Sequence, residues 1–232
     1  VNRLKEIQTR RVVSTKLFMF ERPLRLKHSE QQRVFFTSDS HFGHNQNFIY
    51  EKRGYTSVTH HNDVLFDTIN GLVRSEDILI HLGDFCLNTT SSEFEEYLSR
   101  IQCQNILYIW GNHNSRIRNV YEDTIQKQSG RRDLEIYPIT YRNITFLGYY
   151  KELIINDQMI VINHYSIYSW NSMRNGSWCL HGHEHCTVTD HLPNGDGGKI
   201  LDVGWDYYKS PVSFDEIQKI MNKKQIKSIG HH

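Results

Sequence analysis

Long apolar runs are missing from this 232-residue chain. No stretch is long enough to span a bilayer, so no membrane partner is expected. The early run Leu17-Phe18-Met19-Phe20 is too short for the core of a secretory signal. The first thirty residues are rich in arginine, as transit peptides are, but their three glutamates argue against one. Net charge is also nearly absent, at +1, so no global field draws the chain to nucleic acid or lipid. The imbalance is local: eight Lys/Arg stand against three Asp/Glu in residues 1–30, and 19 against 23 elsewhere. A solvated face accounts for such a run more readily than a nucleic-acid-binding arm. Cysteine is sparse, and Cys86, Cys103, Cys179 and Cys186 show no C-x-x-C spacing. That excludes a disulfide framework and a thiolate zinc site, and it fits a reducing, cytoplasmic setting. There is no internal repeat, no low-complexity tract and no Walker-type phosphate loop.

What is present reads as one globular domain over residues 31–230, preceded by a basic arm over 1–30. The composition is 38% hydrophobic and 23% charged. Short runs rich in β-branched residues recur at Val34–Phe36, Ile78–Leu82, Ile106–Trp110, Met159–Ile162, Trp178–Leu180 and Ile200–Val203, and they read as buried strands. Asn156-Asp157 between two apolar runs predicts a hairpin. Phe94, Tyr97, Leu98 and Ile101 fall on one helical face, with Ser92 and Glu95 as its expected capping box. Ser213 and Glu216 repeat that device before Ile217, Ile220 and Met221, and Val64, Leu65, Ile69, Leu72 and Val73 predict a helix before Ile78. The class is α/β.

Polar clusters close five of these strands. Val34–Phe36 runs into Asp39 and His41, Ile78–Leu82 into Gly83-Asp84, and Ile106–Trp110 into Gly111-Asn112-His113. Met159–Ile162 leads to His164, and Trp178–Leu180 to His183 and His185 within "HGHEH". In α/β sheets, sites form beyond the carboxyl ends of strands. Asp, Asn and neutral His offer donors suited to Mn²⁺, Fe, Zn²⁺, Co²⁺ or Ni²⁺. Even with His113 left aside, seven such donors are too many for one tetrahedral ion and suit two ions sharing a bridge, the arrangement that serves in-line phosphoryl displacement. Gly83, Gly111 and Gly182 permit sharp turns and close approach there.

The order Asp-x-His, Gly-Asp, Gly-Asn-His, a lone His, then Gly-His-x-His resembles the calcineurin-like metallophosphoesterases, with the likeness running from Asp39 to about Tyr208, past a strand ending near Asp206. The resemblance implies a two-sheet sandwich flanked by helices and a dinuclear centre hydrolysing phosphate esters, with metal-bound hydroxide attacking phosphorus. It assigns Asp39, His41 and His185 to one ion, Asn112, His164 and His183 to the other, and Asp84 to the bridge. The cofactors expected are two divalent transition-metal ions, Mn²⁺ first among them. His113 would lie over the reacting phosphate as general acid or electrostatic stabiliser. The family often has an acidic residue where this chain has Asn114, and many phosphatases have an orienting Asp where it has Leu87.

Candidate substrate contacts are His44 within "HFGH", Arg116 at an expected helix start, and Arg174 in the aromatic loop Tyr165 to Ser177. Tyr168 and Trp170 of that loop could stack on a nucleobase, which favours a small phosphate ester of nucleotide type. The alternatives are a phosphodiesterase or nuclease acting on nucleic acid, and a non-catalytic metal-binding scaffold for a protein partner. Oligomeric state is open.

Overall fold

A computed structural model describes residues 22–129 and 138–227. The expected basic arm lies outside the described residues up to position 21. Beyond that point, Leu24–Leu26 forms a short edge strand, β1.

Two sheets face each other. In one, β2 (Val34–Thr37), β3 (Ile78–His81), β4 (Asn105–Tyr108) and β6 (Ile144–Phe146) run parallel as neighbours. β5 (Ile139–Tyr141) and β11 (Val212–Ser213) close its edges in the antiparallel sense. The other sheet has the order β1, β7 (Tyr150–Ile155), β8 (Gln158–Asn163), β9 (Trp178–His181) and β10 (Ile200–Asp202). Only its β7–β8 hairpin is antiparallel. Asn156 (φ 47°) and Asp157 (φ 70°) make that hairpin turn with left-handed backbone, which suits the twist of the strands it joins.

Alternation along β2 and β3 divides the core. Val34, Phe36, Ile78 and Ile80 point between the sheets toward Leu153, Ile160, Ile162, Leu180 and Leu201. Phe35 and Leu79 point outward, under helices α2 (Val58–Leu72), α3 (Ser91–Arg100) and α4 (Ser115–Ser129). Burying each such side chain contributes about 1.5–3 kcal/mol. The remaining helices are the single turns α1 (Asn47–Tyr50) and α5 (Trp205–Tyr208), and α6 (Phe214–Lys223), whose Ile217 and Met221 join the inter-sheet core.

Two sequence expectations shift. α3 is capped by Thr90 and Glu93 rather than Ser92 and Glu95. The stretch "TTSSEFEE" offers overlapping capping signals, and the earlier pair closes the reciprocal box while Phe94 and Leu98 stay buried. No strand ends near Asp206. β10 stops at Asp202, whose side chain takes the Gly204 amide at 2.7 Å and turns the chain into α5. Of the box expected at α6, the Ser213 half forms: its hydroxyl caps the helix by accepting the Glu216 amide.

The register of β2 against β3 is set from below by Asp77. This buried carboxylate accepts the Arg33 amide (2.8 Å), the Arg33 guanidinium (2.6 Å), the Arg74 amide (2.9 Å) and the Arg74 guanidinium (3.0 Å). Burial alone would raise its pKa, but these donors outweigh burial and hold the carboxyl well below the usual carboxylate range. A depressed folded pKa stabilises the fold above the unfolded value of about 3.9, and the gain is lost as pH falls. Asp77→Asn is therefore expected to cost about 1–3 kcal/mol at pH 7 by urea unfolding. The gap from the parent should narrow steadily below about pH 4. A gap independent of pH would assign the loss to packing instead.

Candidate metal centre

Beyond their last paired residues, β2 and β3 continue side by side. The Asp39 amide donates to Gly83 (3.0 Å), His41 to Asp84 (3.0 Å) and Phe42 to Phe85 (2.8 Å). The backbone there is left-handed at Asp39 (φ 57°), His41 (φ 54°) and Asp84 (φ 53°), and it is again so at His183 (φ 71°) and His185 (φ 47°). For residues other than glycine this costs roughly 1–2 kcal/mol each and persists only where the surroundings enforce it. Five of the seven expected ligands carry it, so the local strain is concentrated on the donors themselves. Two glycines make the packing feasible. Gly83 has φ 102° against the His164 ring, and a Cβ on Gly111 would stand 2.6 Å from the Asp84 amide nitrogen.

The structure brings all seven residues together at the carboxyl edge of both sheets. His41 Nε2 stands 3.8 Å from Asp39 Oδ1 and 3.4 Å from His185 Nε2, and His185 Nε2 stands 4.0 Å from the same Asp39 oxygen. On the other side, His164 Nε2 lies 3.3 Å from Asp84 Oδ2 and 2.8 Å from Asn112 Oδ1, with His183 Nδ1 3.1 Å from that amide oxygen. The two sides abut at the carboxylates, because donor atoms of Asp39, Asp84 and His164 all fall within 4.8 Å of one another.

The chemistry of these donors fits a cation. His164 Nδ1 is spent on the Leu82 carbonyl (2.8 Å), and His185 Nδ1 on Asp206 Oδ2 (2.7 Å). Each ring thereby turns a lone pair on Nε2 inward, as metal-ligating imidazoles do. Asp39 Oδ1 is buried with no hydrogen-bond partner, which is costly for a carboxylate oxygen unless a cation meets it. Burial pushes the Asp39 carboxyl up, only partly offset by His164 and His185. Burial also pushes up on Asp84, but His164, His41 and the His113 amide outweigh it and bring that carboxyl to about 2. Burial alone would lower His164 and His185, whose carboxylate partners raise both.

His113 is at the rim, with its side chain 45% exposed. Its amide donates to Asp84 Oδ1 (3.0 Å), and its Nε2 is 3.9 Å from Asp84 Oδ2. Leu87 is buried and apolar, so it offers no partner to that ring. His44 is buried, edge-on to His41 with ring centres 5.8 Å apart. Arg116 is exposed in the first turn of α4, next to Ser115. Arg174 sits on the 3₁₀ turn Met173–Asn175. Trp170, a stacking candidate, is core instead: its indole N–H donates to Ser177, and it packs with Met173 on Val161, Cys179 and Ile200. Tyr168 of the same loop is exposed. Among the described residues no helix is long and apolar enough to cross a membrane.

Three residues at the centre escaped the sequence reading of roles. Asn114, noted only as a departure, is buried; its Oδ1 accepts the Asp84 amide (3.1 Å) and the Tyr108 hydroxyl (2.5 Å), and its Nδ2 donates to the Cys86 carbonyl (3.0 Å). It thus clamps both sides of the Asp84 turn. Asp206 orients His185, and Arg53 pairs with Asp206. The "GNHN" motif drew attention to Asn114, but no pattern marked Arg53.

Comparison with known proteins agrees with this geometry. Residues 32–225 match the family described as calcineurin-like phosphoesterase. An uncharacterized protein of Methanocaldococcus jannaschii, MJ1445, is 27% identical over 198 residues, which cover 84% of this chain and 94% of that protein. The crystal structure of AQ665 from Aquifex aeolicus, a protein of unknown function, superimposes with a TM-score of 0.54 at 19% identity, covering 82% of this chain and 99% of that one. The latter likeness concerns the fold.

Asn114→Ala should leave the Asp84 amide and the Tyr108 O–H without their buried acceptor, while the Tyr108 oxygen still accepts the Phe85 amide. The expected cost is about 1–3 kcal/mol in urea unfolding, with weaker metal retention on dialysis. Unchanged stability and retention would remove Asn114 from the support of Asp84.

Proposed function

The chain belongs to the calcineurin-like phosphoesterase family, and from that footing we propose that it hydrolyses phosphate esters with two divalent transition-metal ions. The supporting observation is the pair of abutting donor groups joined through buried carboxylates. Asp39, His41 and His185 would hold one ion and Asn112, His164 and His183 the other, with Asp84 as the carboxylate they would share. The mixed oxygen and imidazole set suits Mn²⁺, with Fe, Zn²⁺, Co²⁺ and Ni²⁺ as alternatives. Two such ions supply Lewis acidity toward the phosphoryl group and a water-derived nucleophile at neutral pH.

The remaining work falls to the chain's own side chains. His113 stands exposed beside Asp84, placed to deliver a proton to the leaving oxygen or to stabilise its charge. Exposed aromatic rings flank the centre on both sides. Phe48 is edge-on to His44 at 5.3 Å, and Tyr165 is edge-on to His183 at 4.6 Å. Such rings favour a leaving group with a planar face, which is the ground for a nucleotide-like substrate. A panel of chromogenic mono- and diesters with nucleotides, assayed across divalent metals, tests the reading. Absence of hydrolysis under every metal would overturn it.

Elemental analysis and Mn²⁺ titration should reach two ions per chain, and Asp84→Asn should lower both metal content and turnover. Stoichiometry that never exceeds one at saturation would remove the dinuclear assignment. A further expectation separates the roles of His113. General acid help is worth about 10²–10⁴-fold, and it matters most for poor leaving groups. His113→Ala should therefore slow a ribose or alkyl ester far more than a nitrophenyl ester, with metal content unchanged. Equal losses on both would assign His113 to charge stabilisation.

A further inference from the structure

One side chain outside the donor set ties together the segments that carry one side of the centre. Arg53 follows the short helix α1, and it is buried. Its Nε donates to Asp206 Oδ1 (3.0 Å), and one terminal nitrogen donates to Asp206 Oδ2 (2.7 Å) and to the Asp39 carbonyl (2.8 Å). The other terminal nitrogen donates to the Ser40 carbonyl (3.1 Å) and to His61 Nε2 (3.0 Å). A guanidinium has five N–H donors, and here all five are used.

The targets explain why such a group is needed. Asp39 and His41 hold left-handed backbone, and the carbonyls that Arg53 captures belong to the two peptide units between them. Its fork on Asp206 fixes the carboxylate that in turn holds His185 Nδ1 at 2.7 Å. His61, from α2, passes the chain of contacts to Asn62 (3.2 Å), which accepts the Gly43 amide (3.2 Å) just beyond His41. The Asp39, His41 and His185 segments are thus tied to a single planar cation. None of these hydrogen bonds goes to Asp84, Asn112, His164 or His183.

We propose that Arg53, acting through Asp206 and the Asp39–Ser40 peptides, is the positioning residue for the ion held by Asp39, His41 and His185, and not for its neighbour. The inference rests on the two-ion reading above. Lysine cannot replace Arg53, because one ammonium carries three donors on a flexible stem and cannot form the planar fork. Removal of a partner one step behind a metal ligand typically weakens metal binding about 10–100-fold.

The test is Mn²⁺ binding by the whole chain, with stoichiometry and affinity from titration and the ion-pair signature from electron paramagnetic resonance. The parent protein should bind two ions and show the signal of an interacting pair. In Arg53→Lys one ion should bind as before and the other about 10–100-fold more weakly, with isolated-ion signal replacing the pair signal until Mn²⁺ is in excess. Asp206→Asn should reproduce this selective loss, and it carries the test by itself if Arg53→Lys does not fold. The double variant should lose less than the sum of the two, since both act on His185. Unchanged affinities, or equal weakening at both ions, would overturn the proposal while leaving the two-ion centre intact. A parent protein that never binds a second ion would overturn the centre and this inference together.

Discussion

Two buried carboxylates, Asp39 and Asp84, are brought close at the ends of adjacent strands, and most of the surrounding structure answers to that pairing. Like charges so close in a dry setting repel, and each pushes up the cost of ionising the other. The fold spends donors on them accordingly. Asp39 Oδ2 takes the His183 amide at 2.9 Å, and Asp84 takes the His113 amide. Their backbone is held by the ladder between the two loops, by Asn114 and by Arg53. Asp77, at the opposite end of β2 and β3, matters for the same reason. A slip of one residue in that register would turn one of the carboxylates to the wrong face.

The division of labour between sheets follows from topology. β2, β3 and β4 lie next to each other in one sheet and deliver Asp39, His41, Asp84 and Asn112. β8 and β9 are neighbours in the other and deliver His164, His183 and His185. Each of the two donor groups therefore draws on both sheets. The inter-sheet core of Phe36, Ile80, Ile162 and Leu180 packs beneath this edge, and its packing sets the spacing between donors from opposite layers.

The sequence showed the strand ends well because chemistry interrupts pattern there. An apolar run that stops at Asp, Asn or His where a turn residue would serve is visible without a structure, and the αβ alternation and the Asn156-Asp157 hairpin followed from periodicity and turn chemistry. Long-range partnership was not visible. Arg53 meets Asp206 across 153 positions, and nothing in "YEKRGY" distinguishes it from a solvated arginine. Trp170 illustrates the converse: an aromatic in a polar loop reads equally as platform or plug, and only its contacts with Ser177 and Val161 decide for the core. The cap of α3 was misplaced because overlapping signals differ by tertiary fit rather than by local propensity.

The contact between His41 and His185 joins positions 144 residues apart. An ion seated between those two rings would act as a cross-link, closing a loop of that length in the chain. The entropy such a closure withholds from the unfolded chain grows only with the logarithm of the length, so doubling the intervening stretch adds only about 0.6 kcal/mol. The spans between strand ends can thus lengthen or shorten, as surface segments do, at almost no cost to the clasp. The same donor edge could then sit beneath quite different surroundings, with new contacts for a substrate built from inserted loops while the seven donors keep their places.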